Sequence, residues 1–122
     1  MKAYTDIEQS KKLAEILPIT TIDFVWYIFS DGSTRLLCMD DWEVFENAES
    51  DVEIIPCWSL AALLEQIPSD LGSSKLIIEK YDSESLKYGL NYHDKWGRED
   101  DIQTKYYDNL VDACVEMIIK LH

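Results

Sequence analysis

The sequence predicts a single α+β domain in which about three helices pack on an antiparallel sheet made of a hairpin and a three-stranded meander. Three observations support this. An Asp31-Gly32 pair separates two apolar runs, residues 86–93 alternate between apolar and polar, and residues 110–121 carry an apolar stripe at helical spacing. The length of 122 residues fits one domain with a sizeable core, and we place its boundaries at 1–122.

The first predicted helix begins at Thr5, because Thr5 and Glu8 have the spacing of a capping box, and it runs to about Leu17, before Pro18. The runs IDFVWYIF and TRLLCM then lie on either side of SDGS. An Asp-Gly pair is typical of a two-residue turn with positive φ at both residues. We therefore expect residues 22–39 to form a tight β-hairpin.

The most apolar stretch of the chain is IIPCWSLAALLEQIP, residues 54–68. Ser59 is a good helix N-cap, and Trp58 and Leu63 then occupy the two positions of a hydrophobic staple. Pro68 ends the helix after about nine residues, far fewer than a membrane span requires. We interpret this stretch as core, with a helix that begins after Ser59.

Three further runs, KLIIEKY, LKYGLNYH and IQTKYY, predict the strands of the meander. In the second run, the apolar residues share one side, which indicates a half-buried strand. The last helix is capped by Asp108 or Asn109. Its stripe contains Leu110, Ala113, Cys114, Met117, Ile118 and Leu121.

Acidic residues outnumber basic ones by 24 to 11, which gives a formal net charge of −13. No Lys or Arg occurs from Leu36 to Ser74, and this gap contains a cluster of acids that we take as the candidate partner-binding site. Its members are Asp40, Asp41, Glu43, Glu46, Glu49, Asp51 and Glu53. Such a field repels nucleic acid and anionic lipid. The expected partner is a basic protein, with no direct nucleic-acid or membrane binding.

Cysteine usage and the first residues favour a cytoplasmic protein. The start MKAYTDIEQSKK lacks the apolar core of a secretory signal, and no apolar run approaches the roughly 18 residues of a spanning helix. Cys38, Cys57 and Cys114 are odd in number and far apart, which argues against a disulfide framework or a CxxC pair. We expect reduced and mostly buried thiols.

Two groups of residues have chemical potential. Cys57 lies near a predicted helix N-terminus and would be nucleophilic if His93 served as its base, although a buried thiol beside Trp58 is the simpler interpretation. The other group offers ligand types for a metal without a recognisable spacing: His93, Asp94, Glu99, Asp100 and Asp101. Phosphate-loop and hydrolase motifs do not occur, so we assign no catalytic residue, metal or cofactor.

Aromatic residues are concentrated in the meander, where they either pack the sheet or line a groove or a protein interface. They are Tyr81, Tyr88, Tyr92, Trp96, Tyr106 and Tyr107. With the acidic surface, they favour a non-enzymatic accessory or protein-interaction function. The alternatives are a small thiol- or His-dependent enzyme using Cys57 or His93, and an acidic nucleic-acid mimic that binds a basic DNA-binding protein.

Two segments, PCWSLAALL and DNLVDACVEMIIKLH, resemble motifs of a family of small proteins from bacterial prophage and mobile-element gene sets. That family has a proline at the position of Leu110. The resemblance covers about a quarter of the chain. It implies no activity, cofactor or site residue.

Overall fold

Two antiparallel sheets form the framework of the computed structural model, which describes residues 2–39, 52–82, 86–96 and 98–122. In chain order the elements are α1 (Ile7–Ala14), a 3₁₀ turn (Ile19–Thr21), β1 (Phe24–Ile28), β2 (Thr34–Cys38), β3 (Glu53–Cys57), α2 (Leu60–Glu65), β4 (Asp70–Leu71), β5 (Ser74–Asp82), β6 (Leu86–His93), β7 (Glu99–Gln103) and α3 (Leu110–Leu121). One sheet has the order β2-β1-β3 and the other β4-β5-β6-β7. The predicted α+β fold, with three α-helices in the described part of the chain, is confirmed.

The predicted hairpin forms between β1 and β2, with Phe24 opposite Cys38 and Ile28 opposite Thr34. Its turn differs from the prediction, because only Gly32 has a positive φ, of 87°. The Phe29 carbonyl accepts from Gly32 N, and Phe29 N donates to the Ser33 carbonyl, which leaves a three-residue loop. In such loops a single left-handed residue, here glycine, follows the turn.

Each predicted group of strands gains one strand that the sequence did not reveal. β3 joins β1 antiparallel, with Pro56 opposite Val25, and it is an edge strand, where a proline is tolerated. β4 joins β5 through a two-residue turn at Gly72, whose φ is 58°. The meander is confirmed, although β7 begins at Glu99 rather than Ile102, and Tyr107 forms a separate bridge.

The N-cap of α1 is Asp6, so the prediction of Thr5 is wrong. Asp6 Oδ1 accepts from Gln9 N at 2.8 Å, and Gln9 Oε1 accepts from Asp6 N at 3.1 Å, which completes a capping box one residue later. Thr5 is fully buried instead, and its hydroxyl shares a 2.8 Å hydrogen bond with Ser10. The helix ends at Ala14, before the predicted Leu17.

The other two helix starts follow the predictions. Ser59 Oγ accepts from Ala62 N at 3.2 Å, and Trp58 and Leu63 are both fully buried in the same core cluster. Helix α2 is nevertheless shorter than predicted, with six residues. Helix α3 is capped by Asn109, whose Oδ1 accepts from Asp112 N at 2.8 Å.

The main core lies between the three helices and one face of the four-stranded sheet. Its fully or nearly fully buried members include Leu13, Trp58, Leu63, Leu90, Tyr92, Val111, Cys114, Met117 and Ile118. A smaller cluster of Val25, Tyr27 and Leu37 covers the three-stranded sheet. None of the described helices is long and apolar enough to cross a bilayer.

Candidate functional site

The side of the four-stranded sheet that faces away from the core is the candidate site, and we call it the outer face. Leu90 and Tyr92 of β6 point into the core, so the alternate residues of β6 and their cross-strand partners in β5 share the opposite side. The outer face therefore consists of Lys75, Ile77, Glu79, Tyr81, Lys87, Gly89, Asn91 and His93.

Exposed apolar surface is concentrated at this sheet. Of the eight large exposed hydrophobic residues in the described part of the chain, six lie between residues 77 and 106: Ile77, Ile78, Tyr81, Leu86, Trp96 and Tyr106. Tyr81 is 58% exposed and Trp96 is 71% exposed. Single exposed apolar residues are common on proteins, but a contiguous cluster is typical of a binding surface. Ile77, Tyr81 and Tyr106 lie together on the outer face, whereas Ile78 and Leu86 lie on the other side of the sheet.

Glu79 is the hydrogen-bonding centre of the outer face. The Tyr106 hydroxyl donates to Glu79 Oε2, and Asn91 Nδ2 donates to Oε1 at 2.7 Å. These two hydrogen bonds hold the pKa of Glu79 below its usual value, although burial acts in the opposite direction. His93 Nε2 lies 3.8 Å from Glu79 Oε1. Glu79 is therefore a fixed negative charge at neutral pH.

Tyr106 is positioned for this contact by Gly89. A Cβ at residue 89 would lie 3.0 Å from two atoms of the Tyr106 ring, so a larger residue there would push the ring away from β6 by a few tenths of an ångström. The ring centroid of Tyr81 lies 6.0 Å from that of Tyr106. The two tyrosines thus form an exposed aromatic surface beside an ionised carboxylate.

This arrangement is suited to binding rather than to proton transfer. A general base works best with a pKa raised toward the operating pH and with an oxygen available to the substrate. Glu79 has a lowered pKa, and both of its oxygens accept hydrogen bonds from neighbouring side chains. Asn91, only 4% exposed, fixes the carboxylate in place.

The described members of the predicted metal-ligand cluster, His93 and Asp94, make different contacts. Asp94 holds a turn, because its carboxylate accepts from the backbone amides of Trp96 and Arg98 and from Arg98 Nε. His93 lies beside Glu79 and contributes to a cavity of about 340 Å³ with Ser73, Lys75, Ile77, Asp94 and Lys95. Residues 99–101 belong to β7, but the structure describes only their backbone. Within the described residues no three metal-ligand side chains converge.

Cys57 is fully buried at the end of β3, as predicted. Its thiol lies 3.5 Å from Thr5 Oγ1 and 3.6 Å from the Thr5 carbonyl, and His93 is not among its partners. Burial raises the pKa of the Cys57 thiol, although hydrogen bonds from Thr5 and Ser10 oppose this shift. A buried thiol with a raised pKa is a poor nucleophile.

The predicted acidic segment falls mostly outside the described residues. Asp40, Asp41, Glu43, Glu46, Glu49 and Asp51 all lie there. Glu53 is exposed at the start of β3, opposite Ile28. The segment therefore stays a predicted partner-binding site.

A second groove, of about 490 Å³, lies between α1 and α3, and its polar residues hold the fold together. Asp112 accepts from Lys2 Nζ at 2.8 Å, from Gln9 Nε2 at 2.7 Å and from Asn109 Nδ2 at 2.8 Å. Burial opposes ionisation of Asp112, but these donors hold its pKa below the ordinary value. With its lone pairs engaged in this way, Asp112 joins α1 to α3 and offers little to a ligand.

Sequence reasoning missed Glu79 and Asn91, the two residues that organise the outer face. Their signal is weak, because a Glu in KLIIEKY and an Asn in LKYGLNYH are ordinary residues for the wet face of a strand. Only the pairing of β5 with β6 brings them together. No family model, curated protein or solved structure matched the chain.

Proposed function

We propose that this chain is a non-enzymatic protein-interaction domain that binds a basic partner through the outer face of its four-stranded sheet. The observation that carries the proposal is the exposure of three large apolar side chains, Ile77, Tyr81 and Tyr106, around Glu79 on this face. Tyr and Trp are enriched at protein interfaces because they contribute a large apolar area and a polar group at low entropic cost.

The net charge of the chain supports a partner of opposite, positive charge. The chain has a formal net charge of −13, and this overall charge carries the argument, because the outer face itself presents Lys75 and Lys87 beside the ionised carboxylate of Glu79. A basic partner is attracted by this field before contact, whereas a phosphate backbone is repelled. The acidic segment from Asp40 to Glu53 adds to the attraction in this proposal, and direct nucleic-acid binding has no part in it.

A cytoplasmic location belongs to the same proposal. Cys38, Cys57 and Cys114 are all free thiols. Free cysteines in a protein without disulfides are typical of reducing compartments. A function as a Cys57-dependent enzyme has less support, because the thiol is buried and its pKa is raised.

Affinity capture with matched variants tests the proposal. The full chain, the double variant Ile77→Asp/Tyr81→Asp and the control Ile19→Asp would each be used as bait in extracts of the native host. Ile19 is 67% exposed and lies in the 3₁₀ turn, outside the site, so its variant controls for a new surface charge.

The proposal expects a basic protein that the wild type and Ile19→Asp capture equally and the double variant captures at least tenfold less. Binding of the purified partner should weaken as salt is added, because surface charges are screened. An identical set of captured proteins for all three baits would contradict a role for the outer face.

A further inference from the structure

Among the described residues, strand β5 has a partner on its β4 side only along its first part. Its first residues pair with β4, with Ser74 opposite Leu71 and Lys75 opposite Asp70, and the Leu76 amide donates to the Ser69 carbonyl at 2.9 Å. No described residue continues this pairing beyond Leu76.

The direction of each free backbone group follows from alternation along the strand. Because the Leu76 amide points toward β4, the N–H and C=O groups of Ile78 and Lys80 point the same way, and those of Ile77 and Glu79 point toward β6. Ile78 and Lys80 thus present donors and acceptors at the edge, which is a ready template for another strand.

Side chains on both sides of this edge define what the added strand should carry. Ile77 and Tyr81, 36% and 58% exposed, flank Glu79 on the outer face, and Ile78 is 48% exposed on the other side. Tyr106 and Asn91 bind Glu79 from the β6 side, and the Glu79 side chain keeps 28% of its surface exposed. A cation opposite Glu79 completes a cross-strand ion pair, and apolar residues opposite Ile77, Ile78 and Tyr81 cover exposed surface.

We propose that an extended segment of the partner adds antiparallel to β5 as a fifth strand, with a Lys or Arg opposite Glu79 and apolar residues opposite Ile77, Ile78 and Tyr81. This inference rests on the proposed function and names how the basic partner is held. Backbone hydrogen bonds provide affinity in this mode of recognition, and alternate side chains provide specificity.

A second copy of the chain suits the edge less well. Symmetric pairing of two β5 edges around residue 79 places the Glu79 carboxylates opposite each other, and pairing around residue 80 does the same with Lys80. Like charges directly opposite are destabilising, and each chain also has a net charge of −13. Pairing around Ile78 or Tyr81 avoids this repulsion, so the net charge of each chain is the general argument and the hydrogen-exchange measurement tests the second copy directly.

The first arm of the test measures amide hydrogen exchange in the full chain alone. The amides of Ile78 and Lys80 should exchange much faster than those of Ile77 and Glu79. Protection of Ile78 and Lys80 in the chain alone would mean that the edge is already covered, by this chain or by a second copy, and would overturn the proposal.

The second arm adds a synthetic peptide with the core Val-Thr-Arg-Ile-Val, which places its arginine opposite Glu79 in the antiparallel register. The peptide should protect the amides of Ile78 and Lys80. N-methylation of its Thr and Ile amides, which face β5, should weaken binding about tenfold or more because it removes two backbone hydrogen bonds without changing charge. Equal affinity of both peptides, or no protection by the unmodified peptide at millimolar concentration, would overturn strand addition.

Matched variants locate the contact on β5. Ile78→Pro removes an amide that points to the edge and spares the ladder with β6, whereas Ile78→Thr retains that amide. Of these two variants, only Ile78→Pro should weaken peptide binding, by about fivefold or more. Glu79→Gln should weaken binding of the arginine peptide about two- to fivefold, and it should not affect a peptide in which valine replaces the arginine. The N-methylated peptide keeps the test decisive if the proline variant does not fold.

These outcomes separate the two proposals. If Ile77→Asp/Tyr81→Asp abolishes capture of the partner while Ile78→Pro leaves capture unchanged, the outer face binds the partner without strand addition. If neither variant changes capture, both proposals fail.

Discussion

The meander contains two pairs of tyrosines whose surroundings are opposite. Tyr92 is fully buried and donates to the Pro68 carbonyl at 2.6 Å, and Tyr107 packs against the core and donates to Glu116 Oε1 at 2.8 Å. Tyr81 and Tyr106 are 58% and 48% exposed and lie together on the outer face. The aromatic content of a sheet therefore says little about its function until each ring is assigned to a face.

The largest loss of stability should follow from truncating a residue of α3 that packs against the buried face of the sheet. Met117 is fully buried in the core cluster that contains Leu90 and Tyr92. Met117→Ala should lower the free energy of unfolding by about 2–5 kcal/mol through lost burial and a residual cavity. Urea melts would measure this, with Ile19→Ala, at a 67% exposed position, as the control. An unchanged midpoint for Met117→Ala would mean that α3 does not pack on the sheet.

Removal of one hydroxyl from each face tests the comparison with the same chemical change. Tyr92→Phe loses the hydrogen bond to the Pro68 carbonyl and should destabilise the fold by about 0.5–1.5 kcal/mol. Tyr81→Phe should change stability less, because its ring is 58% exposed. Both values would come from denaturant melts. Equal losses would show that the two faces contribute alike to stability.

A pH titration tests the inner tyrosine beside Glu116. Burial, with the hydrogen bond to the Glu116 carboxylate, raises the pKa of Tyr107 from 10.0 to about 12. The folded state holds this proton more tightly than the unfolded state, so its contribution to stability is present below pH 10 and is lost as pH rises toward about 12. Phenolate absorbance should show a late transition that Tyr107→Phe reduces but does not abolish, because burial also raises the pKa of Tyr27 and Tyr92. Full ionisation of every tyrosine near pH 10 would contradict this.

A small effect on stability should also follow from polar substitution on the outer face. Tyr81→Ser should lower the free energy of unfolding by about 1 kcal/mol, because the ring is mostly exposed and loses chiefly its contact with Tyr106. The same variant should weaken partner binding in the proposed function. Thermal melts together with a binding assay would check both parts. A loss of several kcal/mol would assign Tyr81 to the core instead.

Local signals in the sequence predicted the elements whose cause is local. Ser59 and Asn109 were identified as caps because their side chains bond within the next three residues, and the stripe of α3 reflects its own periodicity. Thr5 failed as a cap because its hydroxyl bonds to Ser10 and to the Trp58 amide, and Trp58 is remote in sequence. Asp6, the adjacent residue, then caps the helix.

Features that depend on strand order could not be predicted. β3 was not predicted as a strand, yet it pairs along its whole length with β1. The outer face depends on the β5–β6 register, which sets Glu79 opposite Gly89 and leaves room for Tyr106. The open edge of β5 likewise depends on how little of it β4 covers.

The contact between Lys2 and Asp112 constrains how this protein is made. These residues are 110 positions apart, yet their side chains meet at 2.8 Å and tie the first helix to the last. On a ribosome, residues 2–9 are synthesised before the carboxylate that holds them, which follows more than 100 residues later at about 5–20 residues per second. The nascent chain therefore carries an incompletely docked first helix for several seconds, and its final stability appears only after α3 has left the exit tunnel.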